Sequence, residues 1–253
     1  MAAFENRVAL VTGAGRGIGR GIALGLAGAG ARVGLLARSQ PELDAVAAEI
    51  GDAGGSAVTL AADLSDRGQP ARALERLVGE LGEVEILVNN AAVVWPVGPT
   101  RDLDPDAIAA AIAINVVGAV TLTVRVLPAM IASDWGRIVN VSAAIVDDPG
   151  MLTGINVYAA SKGALVAHTI NLAAELAGTG VTVNAYRPGR VDTSMQAYIR
   201  DQPREQVGAT LHDAFTGMRS SGTLITPHES AAALLDRLGG ADSGQVWDVS
   251  GAV

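Results

Sequence analysis

The chain has 253 residues, of which 49% are apolar and only 3% aromatic; it contains no cysteine and carries a formal charge of −8. That length suits one α/β domain with a sizeable core, and the missing cysteines exclude disulfides, thiolate metal sites and cysteine nucleophiles. His168, His212 and His228 are too scattered for a metal-ligand set, and the acidic balance leaves no footprint for nucleic acid, so small molecules are the expected ligands.

The start, MAAFENRVALV, carries Glu5 ahead of an apolar run too short for a signal peptide, and no later run of about eighteen residues is uninterruptedly apolar. A soluble, cytoplasmic protein without a membrane partner is expected. Arg7 to Thr12 reads as a buried strand, followed by a glycine-rich turn over 13–19 and an apolar helix from Ile18 to Ala29 that Gly30 closes. The pattern repeats with a strand from Arg32 to Ala37, a helix from about Pro41 to Ala53, a strand from Ser56 to Ala61, a helix from about Gln69 to Leu81 and a strand from Ile86 to Asn89. A long helix follows near Asp104 to Ile131, then a strand from Gly136 to Ser142, a helix from Val157 to Gly178, a strand from Val181 to Arg187 and a last strand near Gln245 to Val249. Between Asp192 and Pro227 the pattern weakens, and the segment is expected to be mobile and to lie over the ligand site. Such alternation implies a single-domain, Rossmann-like α/β fold: a doubly wound parallel sheet with helices on both faces.

The turn Thr12-Gly13-Ala14-Gly15-Arg16-Gly17-Ile18-Gly19 sits between the first strand and the first helix. Glycines there let the backbone approach a pyrophosphate at the helix N-terminus, which points to a dinucleotide; a tight turn without a ligand is the plainer alternative. The glycine spacing resembles the Thr-Gly-x-x-x-Gly-x-Gly form of the short-chain dehydrogenase/reductase (SDR) family. Further matches are Asp63-Leu64, an adenine-contacting pair in that family, and Asn89-Asn90-Ala91-Ala92, which has Ala where the family's Asn-Asn-Ala-Gly ends in Gly. Taken alone, Asp63 reads equally well as a helix cap. Pro188-Gly189 and Val191-x-Thr193 match the family's segment that holds the nicotinamide carboxamide.

In NAD-using members an acidic residue ends the second strand and binds the ribose hydroxyls. Here that position is Ala37, followed by Arg38. A carboxylate at 37 would repel a 2′-phosphate, whereas Arg38, aided by Arg16, can pair with one; NADPH/NADP is the expected cofactor, with two solvated arginines as the plain alternative.

Of 18 basic side chains 17 are Arg, and the single Lys is Lys162, four residues after Tyr158 and so on the same helical face. A neighbouring ammonium is expected to lower the pKa of the Tyr158 phenol. Asn115, Ser142, Tyr158 and Lys162 together resemble the SDR tetrad in order and spacing. The resemblance implies Tyr158 as proton donor, Lys162 as its partner and a holder of the nicotinamide ribose, Ser142 as a hydrogen-bond donor to a carbonyl oxygen, and Asn115 as part of a water relay. Singly, each has a bland reading: strand-end hydroxyl, buried amide, core tyrosine or surface lysine.

Within the family, reductases of 3-oxoacyl groups meet the acidic acyl carrier protein with basic residues near the entrance. Val126 to Trp135 and Glu175 to Gly180 have none, only Arg125 and Arg137 flanking the first, so that partner is not expected. The stretches Val191 to Gln196, Ser221 to Pro227 and Ser243 to Asp248 resemble sepiapterin and benzil reductases, which implies a compact ketone or vicinal diketone as substrate. Trp95, Leu152, Met195 and Tyr198 are candidate pocket walls, with core or interface packing as the alternative. A 3-oxoacyl-thioester reductase, a secondary-alcohol dehydrogenase working oxidatively and a non-catalytic cofactor-binding regulator stay open. The family also implies a homo-oligomer, a tetramer or dimer, with the helices near 104–131 and 157–178 at an interface.

Overall fold

A computed structural model of the chain describes residues 3–249. Seven strands, β1 (Val8–Thr12), β2 (Arg32–Ala37), β3 (Ser56–Ala61), β4 (Ile86–Asn89), β5 (Gly136–Val141), β6 (Val181–Arg187) and β7 (Val246–Asp248), form one sheet in the order β3-β2-β1-β4-β5-β6-β7. All six pairings are parallel. Strands buried on both faces need apolar residues at successive positions, which is why VALVT and ILVN are continuous runs.

Successive side chains feed opposite layers. Ala9 and Val11 join Val33, Leu35, Val88 and Val139 in one core with Ile22 and Leu26 of α1 (Gly17–Gly28) and Val46 of α2 (Gln40–Asp52). Val8 and Leu10 join Leu36, Leu87 and Ile138 in the other, under Leu77 of α3 (Gln69–Leu81). The sheet order reverses between β1 and β4, and in open α/β sheets the crevice beyond the carboxyl ends of such strands is where ligands bind.

The stretch expected as one long helix is interrupted. Residues 105–132 run as α4 (Pro105–Ile112), a π turn (Ala113–Val117) and α5 (Gly118–Ala132), so Asn115 sits in a widened turn. Such turns recur at functional sites. An 18-residue window of this helix averages a mean hydropathy of 2.2, enough by length and composition to cross a membrane. Its buried residues Leu122, Val126 and Met130 instead belong to the core beneath the sheet. The next helix, α6 (Asn156–Glu175), ends short of the expected Gly178 and carries Tyr158 and Lys162 near its start.

The segment 192–227, where the sequence pattern weakens, folds as α7 (Ser194–Arg200), α8 (Arg204–Val207) and α9 (Ala209–Ser220), and Ile199, Val207, Leu211 and Phe215 close a third small core with Val94, Ile145 and Ile155. After it comes α10 (Pro227–Leu238), absent from the sequence reading, which packs Ala231 and Leu234 into the core that holds α1.

Candidate active site

At the switch point β1 and β4 are tied side chain to backbone. Thr12 Oγ1 accepts from the amides of Asn90 and Ala91, each at 3.0 Å, while Asn90 Nδ2 donates to the carbonyl of Thr12 at 2.9 Å. The turn between them needs bare backbone: a Cβ on Gly19 would lie 2.3 Å from the oxygen of Gly13 and 2.4 Å from Asn90 Nδ2. Gly13 and Gly17 hold φ of +66° and +56°, which L side chains rarely adopt. The first turn of α1 has no side-chain cap and no acidic residue, so its free amides face an open cleft.

That cleft is a cavity of about 620 Å³. Gly13, Arg16, Gly17, Ile18, Arg38, Asp63, Leu64, Asn90 and Ala91 line one end of it. Arg38 makes no ion pair among the described residues, whereas Arg16 faces Glu42 at 3.4 Å. Asp63 is not a helix cap: its carboxylate accepts from the amide and hydroxyl of Ser65, and the carboxylate that meets the start of α3 is Asp66, held below its usual value by the amides of Gln69 and Gly68.

At the other end lie Ser142, just past β5, and Tyr158 and Lys162 of α6. Lys162 is 1% exposed, which removes the surface-lysine reading, and its Nζ donates to the carbonyl of Val141 at 2.6 Å. Ser142 Oγ donates in turn to the carbonyl of Lys162 at 3.3 Å. Burial pushes Lys162 down to about 8 and Tyr158 up to about 12. The expected lowering of the phenol pKa is therefore not found: the ammonium stands over the ring, 5.7 Å from its centre, and removal of the phenol from water outweighs it. The Tyr158 hydroxyl makes no hydrogen bond among the described residues.

Asn115 lies beneath this end rather than in it. Its Oδ1 accepts from the amide of Val93 at 2.8 Å, and its Nδ2 donates to the Val93 carbonyl at 2.8 Å and to Ser161 Oγ at 3.1 Å. Both amide protons are thus engaged in pinning the segment after β4 to α6, and no hydrogen bond joins the side chain to Lys162 among the described residues. Ser161 Oγ donates to the carbonyl of Tyr158 at 2.7 Å, linking Asn115 to the tyrosine through one residue.

Pro188, Thr193, Trp95, Met195 and Tyr198 also line the cavity. Gly19, Gly189, Val191 and Leu152 do not. Gly19 supports the turn from below, Gly189 bends the chain at φ +79°, and Val191 pairs in a parallel bridge with Ile225. Leu152 packs instead on the small core under α7 and α9. The sequence reading missed Ser39, Glu42, Val94, Ile114 and Ser194, all of which face the cavity. For Glu42 a signal existed: Ser39-x-x-Glu42 is a helix-start pattern, with Ser39 Oγ accepting from the Glu42 amide, and the carboxylate it places at the cavity faces Arg16. The described residues hold no group of three His, Cys, Asp or Glu positioned for a metal.

The family described as short chain dehydrogenase matches residues 7–204. A 3-oxoacyl-[acyl-carrier-protein] reductase of a Synechocystis species is 34% identical over 211 residues, 80% of this chain and 81% of that protein. A solved structure of a putative NAD(P)-dependent gluconate 5-dehydrogenase from Beutenbergia cavernae, with bound NADP at low occupancy, superposes with a TM-score of 0.83 at 35% identity over 97% of this chain and 95% of that one. An actinorhodin polyketide ketoreductase with NADPH gives a TM-score of 0.85 at 33% identity, covering 97% and 96%. Alignments with curated relatives span from 62% to 93% of the relative's own length.

Proposed function

The chain belongs to the short-chain dehydrogenase family, and from that premise we propose that it reduces a small, uncharged ketone or vicinal diketone to the alcohol, with Tyr158 as the proton donor. It is an NADP(H)-dependent oxidoreductase of small carbonyl and alcohol substrates. The observation that carries the finer reading is the division of one cavity: its ionisable side chains other than Tyr158, Lys162 and Tyr198 are Arg16, Arg38, Glu42 and Asp63, all at the nucleotide end.

The residues present fit the cofactor. The bare backbone at Gly13 and Gly19 and the uncapped start of α1 suit a pyrophosphate, and Arg38 beside Ala37 suits a 2′-phosphate. When bound, the cofactor supplies the hydride. Tyr158, neutral because burial raises it to about 12, keeps a proton available for the oxygen of the reduced carbonyl. Ser142 donates a hydrogen bond to that oxygen by exchanging its weak contact with the Lys162 carbonyl. Lys162 presents a cation beside the phenol and would hold the cofactor's ribose hydroxyls.

Val94, Trp95 and Met195 make the substrate end apolar, which favours a neutral compound over a sugar acid or a phosphate ester. A thioester on acyl carrier protein is disfavoured because Arg137, one of the two arginines flanking Val126 to Trp135, is buried at the amino end of β5, away from the cavity: its Nη1 donates to the carbonyls of Gly136 and Gly180, and its guanidinium stacks on Trp135. The exposed Val117, Val124 and Ile131 of the 113–132 stretch and Ile170 of α6 favour a homo-oligomer joined through these helices, which light scattering would test. The expected location is the cytoplasm.

The test is oxidation of NADPH and NADH with a vicinal diketone, an aryl ketone, an acetoacetyl thioester and a quinone. Diketone turnover with NADPH ahead of NADH supports the proposal. Preferential thioester turnover would replace it with the acyl reductase, activity only on secondary alcohols would reverse the direction, and failure to bind either cofactor would overturn it.

A further inference from the structure

We propose that Glu42 moderates cofactor preference: its carboxylate competes with the 2′-phosphate for Arg16 and so holds the preference for NADP(H) below what two arginines would give. The inference rests on the NADP(H) reading above and assigns a specificity role to a residue of α2 that touches neither β1 nor the candidate catalytic end.

Three features place the carboxylate there. Glu42 lies in the first turn of α2, its amide donating to Ser39 Oγ at 3.4 Å, so its backbone is fixed at the mouth of the nucleotide end. Its side chain lies flat on the glycine turn, since a Cβ on Gly15 would stand 2.9 Å from Glu42 Cβ and 3.1 Å from its Oε2. Its Oε1 is 3.4 Å from Arg16 Nη1, whereas Arg38, lining the same wall, has no carboxylate partner among the described residues. The two arginines are therefore unequal: Arg38 is unengaged, and Arg16 must exchange a carboxylate for a phosphate before it can contribute.

A phosphate monoester carries about −1.5 to −2 charge near neutral pH and would sit against the carboxylate of Glu42 as it approaches Arg16. Side chains at this pair are 64% and 38% exposed, so the pair itself adds little to stability and its removal leaves the fold intact. The same exposure caps the effect on binding at about fivefold, screened further by salt. A ligand without the 2′-phosphate gains nothing from release of Arg16.

The test is calorimetric titration of the wild type and Glu42→Gln with adenosine 2′,5′-bisphosphate and with 5′-AMP, at low and high salt. The proposal expects Glu42→Gln to bind the bisphosphate about fivefold more tightly, with 5′-AMP changed by less than about twofold, and the gap to shrink at high salt. Combining Glu42→Gln with Arg16→Gln should abolish the gain. Equal or weaker bisphosphate binding by Glu42→Gln, with the wild type still preferring the bisphosphate, would overturn the competition while leaving the NADP(H) reading intact. No preference for the bisphosphate in either protein would overturn both.

Discussion

Lys162 and Val141 are joined by a 2.6 Å hydrogen bond from the buried ammonium to the strand-end carbonyl, the only hydrogen bond Lys162 Nζ makes among the described residues. One acceptor does not replace the water that a lysine gives up, and burial lowers the group from 10.5 to about 8. A folded-state value below the unfolded one means that the native chain is penalised wherever lysine is protonated. The penalty is full below about 8 and fades as pH rises towards 10.5. It amounts to about 3 kcal/mol. Lys162→Met should therefore stabilise the protein at pH 7 by about 2 kcal/mol, once about 1 kcal/mol is lost by orphaning the Val141 carbonyl. Thermal melts should show a rise of about 4–8 °C at pH 7 that narrows by pH 10. Tyr158, raised from 10 to about 12, favours the folded state less as pH climbs through that window, but does so in both proteins and cancels in the difference. A variant no more stable than wild type would contradict this account.

The same titration should be visible in catalysis. If the reductive reaction uses a charged Lys162 beside a neutral Tyr158, kcat/KM falls as pH rises through about 8 and is level below it. Lys162→Arg keeps its charge throughout, so its profile should lose the alkaline limb while turnover drops about a hundredfold, because the forked guanidinium cannot occupy the space of a compact ammonium. An unchanged limb in that variant would assign the titration to another group.

Gly19 and Gly28 share α1 but not their surroundings. A methyl group on Gly19 has no room, whereas one on Gly28 meets nothing within 4 Å. Gly19→Ala should cost about 1–3 kcal/mol in urea denaturation and weaken NADPH binding at least tenfold. Gly28→Ala should leave binding alone and change stability by less than about 1 kcal/mol, in the stabilising direction. Equal behaviour of the two would remove the turn from the binding site.

Asn115 is expected to act through position. Asn115→Ala leaves the amide and carbonyl of Val93 without their partners, a loss of about 2–4 kcal/mol measurable by denaturant titration. The Val93 segment bounds the cavity, so the KM for carbonyl substrate should rise along with the fall in kcat. A stability equal to wild type would show that the 2.8 Å contacts are dispensable.

The sheet was legible because each strand is a short apolar run between turn residues, and the nucleotide end because its glycines fall between a strand and a helix. α10 was legible in principle: Thr226-Pro227-His228-Glu229 forms a capping box, the Thr226 hydroxyl and Glu229 carboxylate each satisfying the other's backbone amide. Helices α7 to α9 were not, since α7 and α8 are short, α9 has no side-chain cap at its start, and their apolar residues, Ile199, Val207 and Leu211 among them, make a core only with partners from distant loops. Nothing local marks the π turn at Asn115. The four-residue spacing of Tyr158 and Lys162 gave their shared face correctly, yet not their proton affinities, which depend on how much water each loses in the fold.

The most direct test compares NADPH oxidation by wild type and Tyr158→Phe in the presence of a vicinal diketone, with NADPH affinity titrated in parallel. The phenylalanine keeps the ring and its packing and removes only the hydroxyl. NADPH binding should stay within about threefold of wild type while turnover falls by a factor of about 10² to 10⁴. Turnover equal to wild type with intact NADPH binding would contradict this expectation, because the proton would then come from some group other than Tyr158.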